Sequence, residues 1–176
     1  MSGILLVLLL LIGSFKRSNS DATDCISGTT STGCQSGYIN ISSSVTSISS
    51  TAFNAYSITG VSFAACTSIT SLGSYSFSNN KIASVVWSST LKSIDIGAFY
   101  SNQLTSIDSS RLSKVASLGS STSYGVFQNN YITALDLNYL NLTSTPANCF
   151  VNNQLQRFYY YLAYLLYLQS AHLIDK

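Results

Sequence analysis

The chain has 176 residues, of which 46% are apolar and only 8% are charged, so its length suits one domain of ordinary size. Its formal net charge is +2, and its basic residues are scattered rather than gathered into the basic face that nucleic-acid binding requires. This composition predicts an ordered chain with a neutral, hydroxyl-rich surface, and it excludes a nucleic-acid partner.

The N-terminal segment is typical of a secretory signal peptide. An apolar run of nine residues, Ile4 to Ile12, is followed by small residues. We expect residues 1–20 to be removed, with cleavage after Ser20 or, almost as well, after Ser14. The run is too short to span a bilayer, which takes about 20 apolar residues. The mature protein is therefore predicted to be secreted or located at the cell surface, with no transmembrane span.

Residues 21–44 are rich in Gly, Ser and Thr, and we interpret them as a cap on the N-terminal side of the domain. The segment contains Cys25 and Cys34, and an oxidising compartment would favour a disulfide that closes the short loop between them. It also contains the first of two N-glycosylation sequons, at Asn40, and the second follows at Asn141. The sequons permit glycosylation in a eukaryotic source without demonstrating it.

A phenylalanine recurs with a nearly constant period through the rest of the chain. Its positions are 24, 22, 28 and 23 residues apart: Phe53, Phe77, Phe99, Phe127 and Phe150. Apolar residues, aliphatic in every case but one, recur five and eight positions after each Phe, and mostly small residues precede it directly. The longest unit contains an insertion near Ser120 to Ser123. A period in the twenties is typical of a solenoid, whose units bury their apolar faces by stacking.

Each unit also contains a predicted strand and a polar turn residue. Leu104 to Ile107 and Ile132 to Leu137 mix β-branched, aliphatic and small polar residues, which indicates short strands with one buried face. Four of the phenylalanines are followed three residues later by an asparagine that could bond backbone groups left unpaired at the bend: Asn80, Asn102, Asn130 and Asn153. We therefore predict, over residues 45–157, a mainly β repeat solenoid with short irregular or helical turns.

The unit from Leu91 to Ile107, LKSIDIGAFYSNQLTSI, resembles the repeat of the BspA-like leucine-rich repeat family. Repeats of that family look like L-x-x-I-G-x-x-A-F-x-x-N/C-x-L-T-x-L-x-L, and the Leu-Gly pairs at residues 72–73 and 118–119 fit the same frame. The resemblance implies a leucine-rich-repeat right-handed superhelix of about five coils. It also implies a surface or secreted protein of bacteria or microbial eukaryotes, with adhesion as its usual role and with no catalytic residues.

The repeat frame places several reactive or aromatic side chains in the core. Cys149 lies in the small-residue column before Phe150 and is predicted to be a buried thiol. Cys66 is about three coils away, and at about 4.8 Å per coil a disulfide between the two would exceed the reach of about 7 Å. Trp87 shares a column with Phe63 and Leu137, which favours a core position over a platform for sugars.

The residues seven and nine positions after each Phe are predicted to point outward from the strands. The first column contains Gly60, Ser84, Ser106, Ala134 and Arg157, and the second contains Ser62, Val86, Asp108, Asp136 and Tyr159. This flat and mostly uncharged face suits extended contact with a protein or a glycan, and it equally suits solvation. Our candidate binding residues are Ser84, Val86, Ser106, Asp108, Asp136 and Tyr159.

The chain has few residues that could bind a metal or catalyse a reaction. Asp108 and Asp136 share a column, and carboxylates about 5 Å apart could hold calcium. Their flanking residues supply no suitable oxygen, so we predict a solvated strand face without a metal or any other cofactor. The chain has no Glu, and its only histidine is His172, beyond the last repeat. We therefore predict that it is not an enzyme.

Residues 158–176 form an irregular or helical tail in place of a further repeat. Its first part is an unbroken aromatic and apolar run of 11 residues, Phe158 to Leu168. It could be a cap on the last coil, a surface for self-association or membrane contact, or the result of truncation. We favour the cap.

These observations favour a non-catalytic recognition or adhesion module that binds an extracellular protein or glycan through its sheet face. The alternative is a structural protein that builds a matrix or coat by self-association, in which the C-terminal tail could take part.

Overall fold

A computed structural model describes residues 14–17, 25–26, 37–119, 121–143 and 148–159 of the chain. The predicted signal peptide falls largely outside these residues, as do Cys34 and the tail from residue 160 onward. The described part is a stack of short strands and turns that contains a single 3₁₀ helix, Ser109–Arg111, and no α-helix.

Parallel strands on one side of the coils follow the frame of the repeat. A five-stranded sheet has the order β2-β1-β3-β5-β7, in which β3, β5 and β7 run parallel and β1 runs antiparallel to both β2 and β3. A separate parallel pair, β10 and β11, continues this side in the later coils. The strands are β1 (Ser14–Arg17), β2 (Cys25–Ile26), β3 (Gly37–Ile41), β5 (Ile58–Ser62), β7 (Ser84–Val86), β10 (Ala134–Asp136) and β11 (Arg157–Tyr159).

A second sheet runs along another side of the coils. It contains four two-residue strands in parallel register, in the order β4-β6-β8-β9. Each strand places one aliphatic side chain of the repeat in the core, and its partner residue stays at least partly accessible. The strands are β4 (Ser47–Ile48), β6 (Ser71–Leu72), β8 (Ser93–Ile94) and β9 (Ser117–Leu118).

The recurring phenylalanines form a continuous stack through the centre of the molecule. All five are buried, and the rings of successive coils lie nearly parallel at centroid distances of 5.1, 5.3, 5.9 and 5.6 Å. The aliphatic columns on both sides of each ring are buried around this stack. Replacing one buried Phe by Ala typically costs about 3–5 kcal/mol, so each repeat of the period places a strongly stabilising side chain in the core.

A ladder of asparagine side chains runs beside the phenylalanine stack. In Asn102, Oδ1 accepts a hydrogen bond from the backbone N–H of Ile82 in the preceding coil at 3.0 Å. Its Nδ2 donates to the carbonyl of Phe77 in that coil and to the carbonyls of Phe99 and Tyr100 in its own coil. The same bonds recur at the other three asparagines of the repeat, Asn80, Asn130 and Asn153. Each amide therefore bridges two coils and satisfies backbone groups that the turn leaves unpaired.

Backbone conformation repeats along with the side chains. The residue two positions after each Phe has a φ between 55° and 63°, in the left-handed region: Ala55, Asn79, Ser101, Asn129 and Asn152. Three of these five are asparagine, which tolerates this region better than other residues with a side chain. Asn152 Nδ2 also donates to Asn129 Oδ1 of the preceding coil at 2.7 Å, so the turn carries a second, exposed amide contact.

The predicted fold class is confirmed, although the count of coils differs slightly. The longest run of paired parallel strands joins four coils rather than the predicted five. Ile132 to Leu137 contains β10 as expected, but Leu104 to Ile107 is not a strand. We attribute the break to Trp87, whose ring packs edge-on against both Phe99 and Phe127 where Ser109 leaves space in its column.

Replacing Asn102 by Asp tests the asparagine ladder. The change keeps the shape of the side chain but removes both amide donors and directs an anion at three carbonyl oxygens. We expect the free energy of unfolding to fall by about 3 kcal/mol, measured by urea denaturation. The matched control is Asn79→Asp, which affects one exposed side-chain bond and should cost about 0.5 kcal/mol or less. Equal losses in the two variants would contradict a structural role for the ladder.

Ser76 allows the cost of an unpaired, buried hydroxyl group in the core to be measured. Its hydroxyl is fully buried and makes no hydrogen bond, in the column that holds Ala52 and Ala98 in the flanking coils. We expect Ser76→Ala to raise the free energy of unfolding by about 1 kcal/mol, because a buried unpaired hydroxyl is removed. Ser78→Ala, two residues away, should lower it by a similar amount, since its hydroxyl donates to the Asn54 side chain and to the Tyr75 carbonyl.

Candidate binding face

The outward face predicted from the repeats is present in the second to fourth coils. Ser84 and Val86 lie on β7 with exposed side chains, and 39% of Val86 is accessible. Ser106 and Asp108 are exposed in the third coil, although no strand forms there. Asp136 is half-buried on β10 and pairs in register with Tyr159 on β11.

The first coil does not contribute to this face. Gly60 and Ser62 were expected to point outward, but both are buried. The ring of Tyr38, on β3, lies over Gly60 so closely that a Cβ there would be 2.5 Å from the ring. The glycine thus gives the tyrosine room to cover the first coil, and the accessible face begins at the second.

A third exposed column was missed by the alternation that predicted the face. The residues six positions after each Phe are exposed in every coil: Thr59, Ala83, Thr105, Thr133 and Gln156. Several of them donate a backbone N–H to the same column of the preceding coil, as Ala83 does to Thr59 at 2.9 Å. A strict strand alternation would have placed them inward. The recurrence of threonine in the column was the available sign of exposure.

The outward face is divided into two parts. β7 is the last strand of its sheet, and the Gln103 N–H of the third coil donates to the Ile82 carbonyl ahead of that strand. Beyond this break, the N–H groups of Tyr131 and Thr133 donate to carbonyls of the third coil. Ser109 Oγ donates to the Asp136 carbonyl beside this break. Of the six candidate binding residues, the structure therefore places Ser84 and Val86 on one strand and Asp136 and Tyr159 on a separate pair. Ser106 and Asp108 lie between them.

The carboxylates of Asp108 and Asp136 on this face accept hydrogen bonds from residues of their own turns. Asp108 Oδ1 accepts from the Ser110 N–H and hydroxyl and caps the 3₁₀ helix. Asp136 Oδ1 accepts from the Asn138 N–H. Within the described ranges, no group of three or more residues with metal-binding side chains occurs. Turn formation therefore accounts for both residues.

A family model for the BspA type leucine-rich repeat region matches residues 24–156 with six copies of the repeat, most of the chain. The chain belongs to the BspA-type leucine-rich repeat family. No curated protein matches it. Leucine-rich repeats are generally a non-catalytic fold for protein interaction, and BspA-type repeats are common on surface and secreted proteins.

The only histidine of this BspA-type chain, His172, lies outside the described residues. Among the residues that are described, no helix is long and apolar enough to cross a membrane.

The repeat frame also predicted that Cys66 and Cys149 do not form a disulfide with each other and that Trp87 is buried. Cys66 and Cys149 are both buried and both free thiols, as expected from their separation along the solenoid. Burial raises the pKa of Cys66 to about 11 and that of Cys149 to about 12. Trp87 is only 2% exposed and packs on Phe63, so its predicted core position is confirmed.

Cys25 and the asparagines of the two sequons lie in different surroundings. Cys25 lies on β2, but Cys34 lies outside the described residues, so their disulfide stays a prediction. Asn40 is half-buried on β3, where it pairs with Ser62 of β5, whereas Asn141 is exposed in the fifth coil. Of the two sequons, that of Asn141 is therefore the more accessible to a modifying enzyme.

The buried thiols provide a pH-dependent test. The pKa values of both thiols are raised in the folded state, so folding favours the protonated thiols. The stability that this preference contributes is intact below the unfolded pKa near 8.5. It is lost as pH rises toward 11 to 12, because the thiols then ionise more readily in the unfolded chain. We expect the native protein to resist iodoacetamide at Cys66 and Cys149 at pH 8, with labelling measured by peptide mass spectrometry. Labelling in urea at the same pH is the control. Rapid labelling of the native protein at either residue would show that its thiol is not enclosed.

Proposed function

We propose that the chain is a secreted or cell-surface recognition module without catalytic activity, which binds an extracellular protein or glycan through the outward face of its strands. The observation that carries the proposal is the accessible strip formed by neighbouring coils. Its small, uncharged side chains are exposed in successive units: Ala83, Ser84, Thr105, Ser106, Thr133 and Ala134.

The backbone beneath the strip is held in place before any partner arrives. The asparagine ladder and the cross-coil backbone bonds join each coil to the next, and the phenylalanine stack fills the space behind them. A rigid surface loses little conformational entropy on binding, so modest contacts over several coils can add up to useful affinity. Small side chains also allow a partner to approach the backbone closely.

The composition of the strip favours a partner that does not depend on ion pairs. In the second to fourth coils its charged residues are confined to the edges, where Lys81 and Asp108 are exposed. Long-range electrostatic attraction would therefore contribute little, and recognition would depend on shape and hydrogen bonds. Tyr131, which is 50% exposed next to the strip, offers an aromatic contact at one edge.

Features at the two ends of the chain and on its surface complete this proposal. Removal of residues 1–20 would deliver the chain to the secretory route and would take β1 out of the five-stranded sheet. A Cys25–Cys34 disulfide could then form in the cap segment of residues 21–44, and a glycan could be attached at Asn141 or Asn40. The repeats would extend over residues 45–157, and the tail of residues 158–176 would cover the last coil.

A charge introduced on the strip tests the proposal. The mature chain is screened against glycans and extracellular matrix proteins, and the double variant Ser84→Arg, Ser106→Arg is tested against every partner found. Two guanidinium groups on a flat neutral face should block close approach, and we expect affinity to fall by at least tenfold, measured by surface plasmon resonance.

Ser113→Arg is the matched control, because Ser113 is also exposed but lies outside the three outward columns. It should leave affinity unchanged. Partners that bind the double variant as tightly as the unmodified chain would place recognition elsewhere on the molecule.

A further inference from the structure

Three tyrosines from three successive coils meet at the turns beside the phenylalanine stack. Tyr124 packs edge-on against Tyr75, with ring centroids 5.6 Å apart, and against Tyr100, with centroids 5.3 Å apart. Tyr75 and Tyr100 are half-buried, whereas 40% of Tyr124 is exposed. We call these three residues the tyrosine cluster. It occupies the turn segments of the repeat, away in sequence from the three outward columns.

The backbone is adapted to hold Tyr75 in place. Its φ is 56°, and the residues at the same position of other coils, Thr51, Gly97 and Asn148, have similar left-handed values, so this conformation belongs to the repeat. Its ring lies on Gly97 of the next coil, where a Cβ would be 2.4 Å from a ring carbon. Any other residue at position 97 would displace the ring, so the tyrosine and the glycine beneath it form one arrangement.

The insertion in the fourth unit presents the third ring. The Ser121 hydroxyl accepts hydrogen bonds from the backbone N–H groups of Ser123 and Tyr124, and the Ser121 N–H donates to the Tyr124 carbonyl. Asn148 Nδ2 of the following coil donates to the Ser121 carbonyl at 2.9 Å. The extra residues are therefore anchored at both ends, and they direct Tyr124 over the two half-buried rings.

Core packing does not account for this arrangement. The phenylalanine stack beneath the turns is continuous without the tyrosines, and the insertion leaves much of its one aromatic side chain accessible. The pKa of Tyr75 is raised by desolvation and then by the neighbouring Tyr124 and Tyr100. The three rings, with centroids 5.3 and 5.6 Å apart, form a surface patch of aromatic carbon in which each ring carries a hydroxyl group.

The chemistry of the patch indicates one class of ligand. The cluster consists of tyrosine side chains and the insertion adds exposed Thr122 and Ser123, so no Asp, Glu, Lys or Arg is among these residues. Phenol rings offer an apolar face and a hydrogen-bonding hydroxyl together. A sugar ring has the complementary surfaces, because its C–H face is apolar and its rim carries hydroxyl groups. We propose that the tyrosine cluster is a second binding site, independent of the sheet face, that takes a neutral carbohydrate.

The test uses affinity electrophoresis of the full mature chain through gels that contain a soluble neutral polysaccharide: a β-glucan, a galactomannan or dextran. We expect retardation by at least one of them, and we expect Tyr124→Ala to weaken that binding by tenfold or more. Tyr124→Phe should retain the stacking and lose part of the affinity. Tyr139→Ala is the matched control, because Tyr139 is also exposed, at 53%, and makes no ring contact with the cluster within the described ranges.

The outcomes separate this site from the sheet face. Loss of polysaccharide binding in Tyr124→Ala, with full binding in Ser84→Arg, Ser106→Arg and an unchanged thermal midpoint, supports the cluster. Loss only in the Ser84→Arg, Ser106→Arg variant assigns carbohydrate to the sheet face and overturns the proposal. Binding to none of the polysaccharides also overturns it, as does a Tyr124→Ala defect confined to matrix proteins, which would make the cluster a protein contact.

Discussion

The structure depends on a single asparagine amide group that recurs once in each of the last four coils. Parallel strands of only two to five residues offer few hydrogen bonds, and the turn around each Phe leaves N–H and carbonyl groups without strand partners. The asparagine three residues later supplies an acceptor to the preceding coil and donors to both coils. Its neighbours are buried, so no water would replace those bonds if the amide were lost. The asparagine ladder thus stabilises the turns that hold the stacked phenylalanine rings in position.

Both proposed sites are surfaces of this rigid frame. The outward columns owe their exposure to the aliphatic residues on either side, which are directed into the core. The tyrosine cluster instead depends on a departure from the repeat, an insertion near residues 120–123 that brings Tyr124 over the rings of Tyr75 and Tyr100. A regular unit gives a uniform surface, and only an irregular one gives a distinctive surface. This difference explains why the two faces have such different chemistry.

The period of Phe, Asn and aliphatic residues was enough to predict the fold, the core positions of Trp87 and Cys149, and the separation of Cys149 from Cys66. These predictions succeed because each column has the same environment in every coil. Where the environment changes between coils, prediction from columns was wrong. Tyr38 from outside the aligned units covers Gly60, and the third coil loses its strand beside Trp87.

The tyrosine cluster could not be predicted from the columns for a related reason. Tyr75, Tyr100 and Tyr124 stand two before, one after and three before their phenylalanines, so an alignment of the units does not bring them together. They meet because the chain coils and because the insertion redirects one of them. The exposed column six residues after each Phe, by contrast, was visible as recurrent threonine and was missed only because ideal alternation was assumed.

The position of Trp87 has a consequence for how the molecule unfolds. Solenoids are usually treated as chains of units in which each unit senses only its two neighbours. The Trp87 ring reaches past the third coil to contact Phe127 of the fourth, at a centroid distance of 6.2 Å. The second, third and fourth coils are therefore coupled as a block, and fraying that begins at either end should halt at its boundary. Evolution could add or remove coils outside this block more easily than within it.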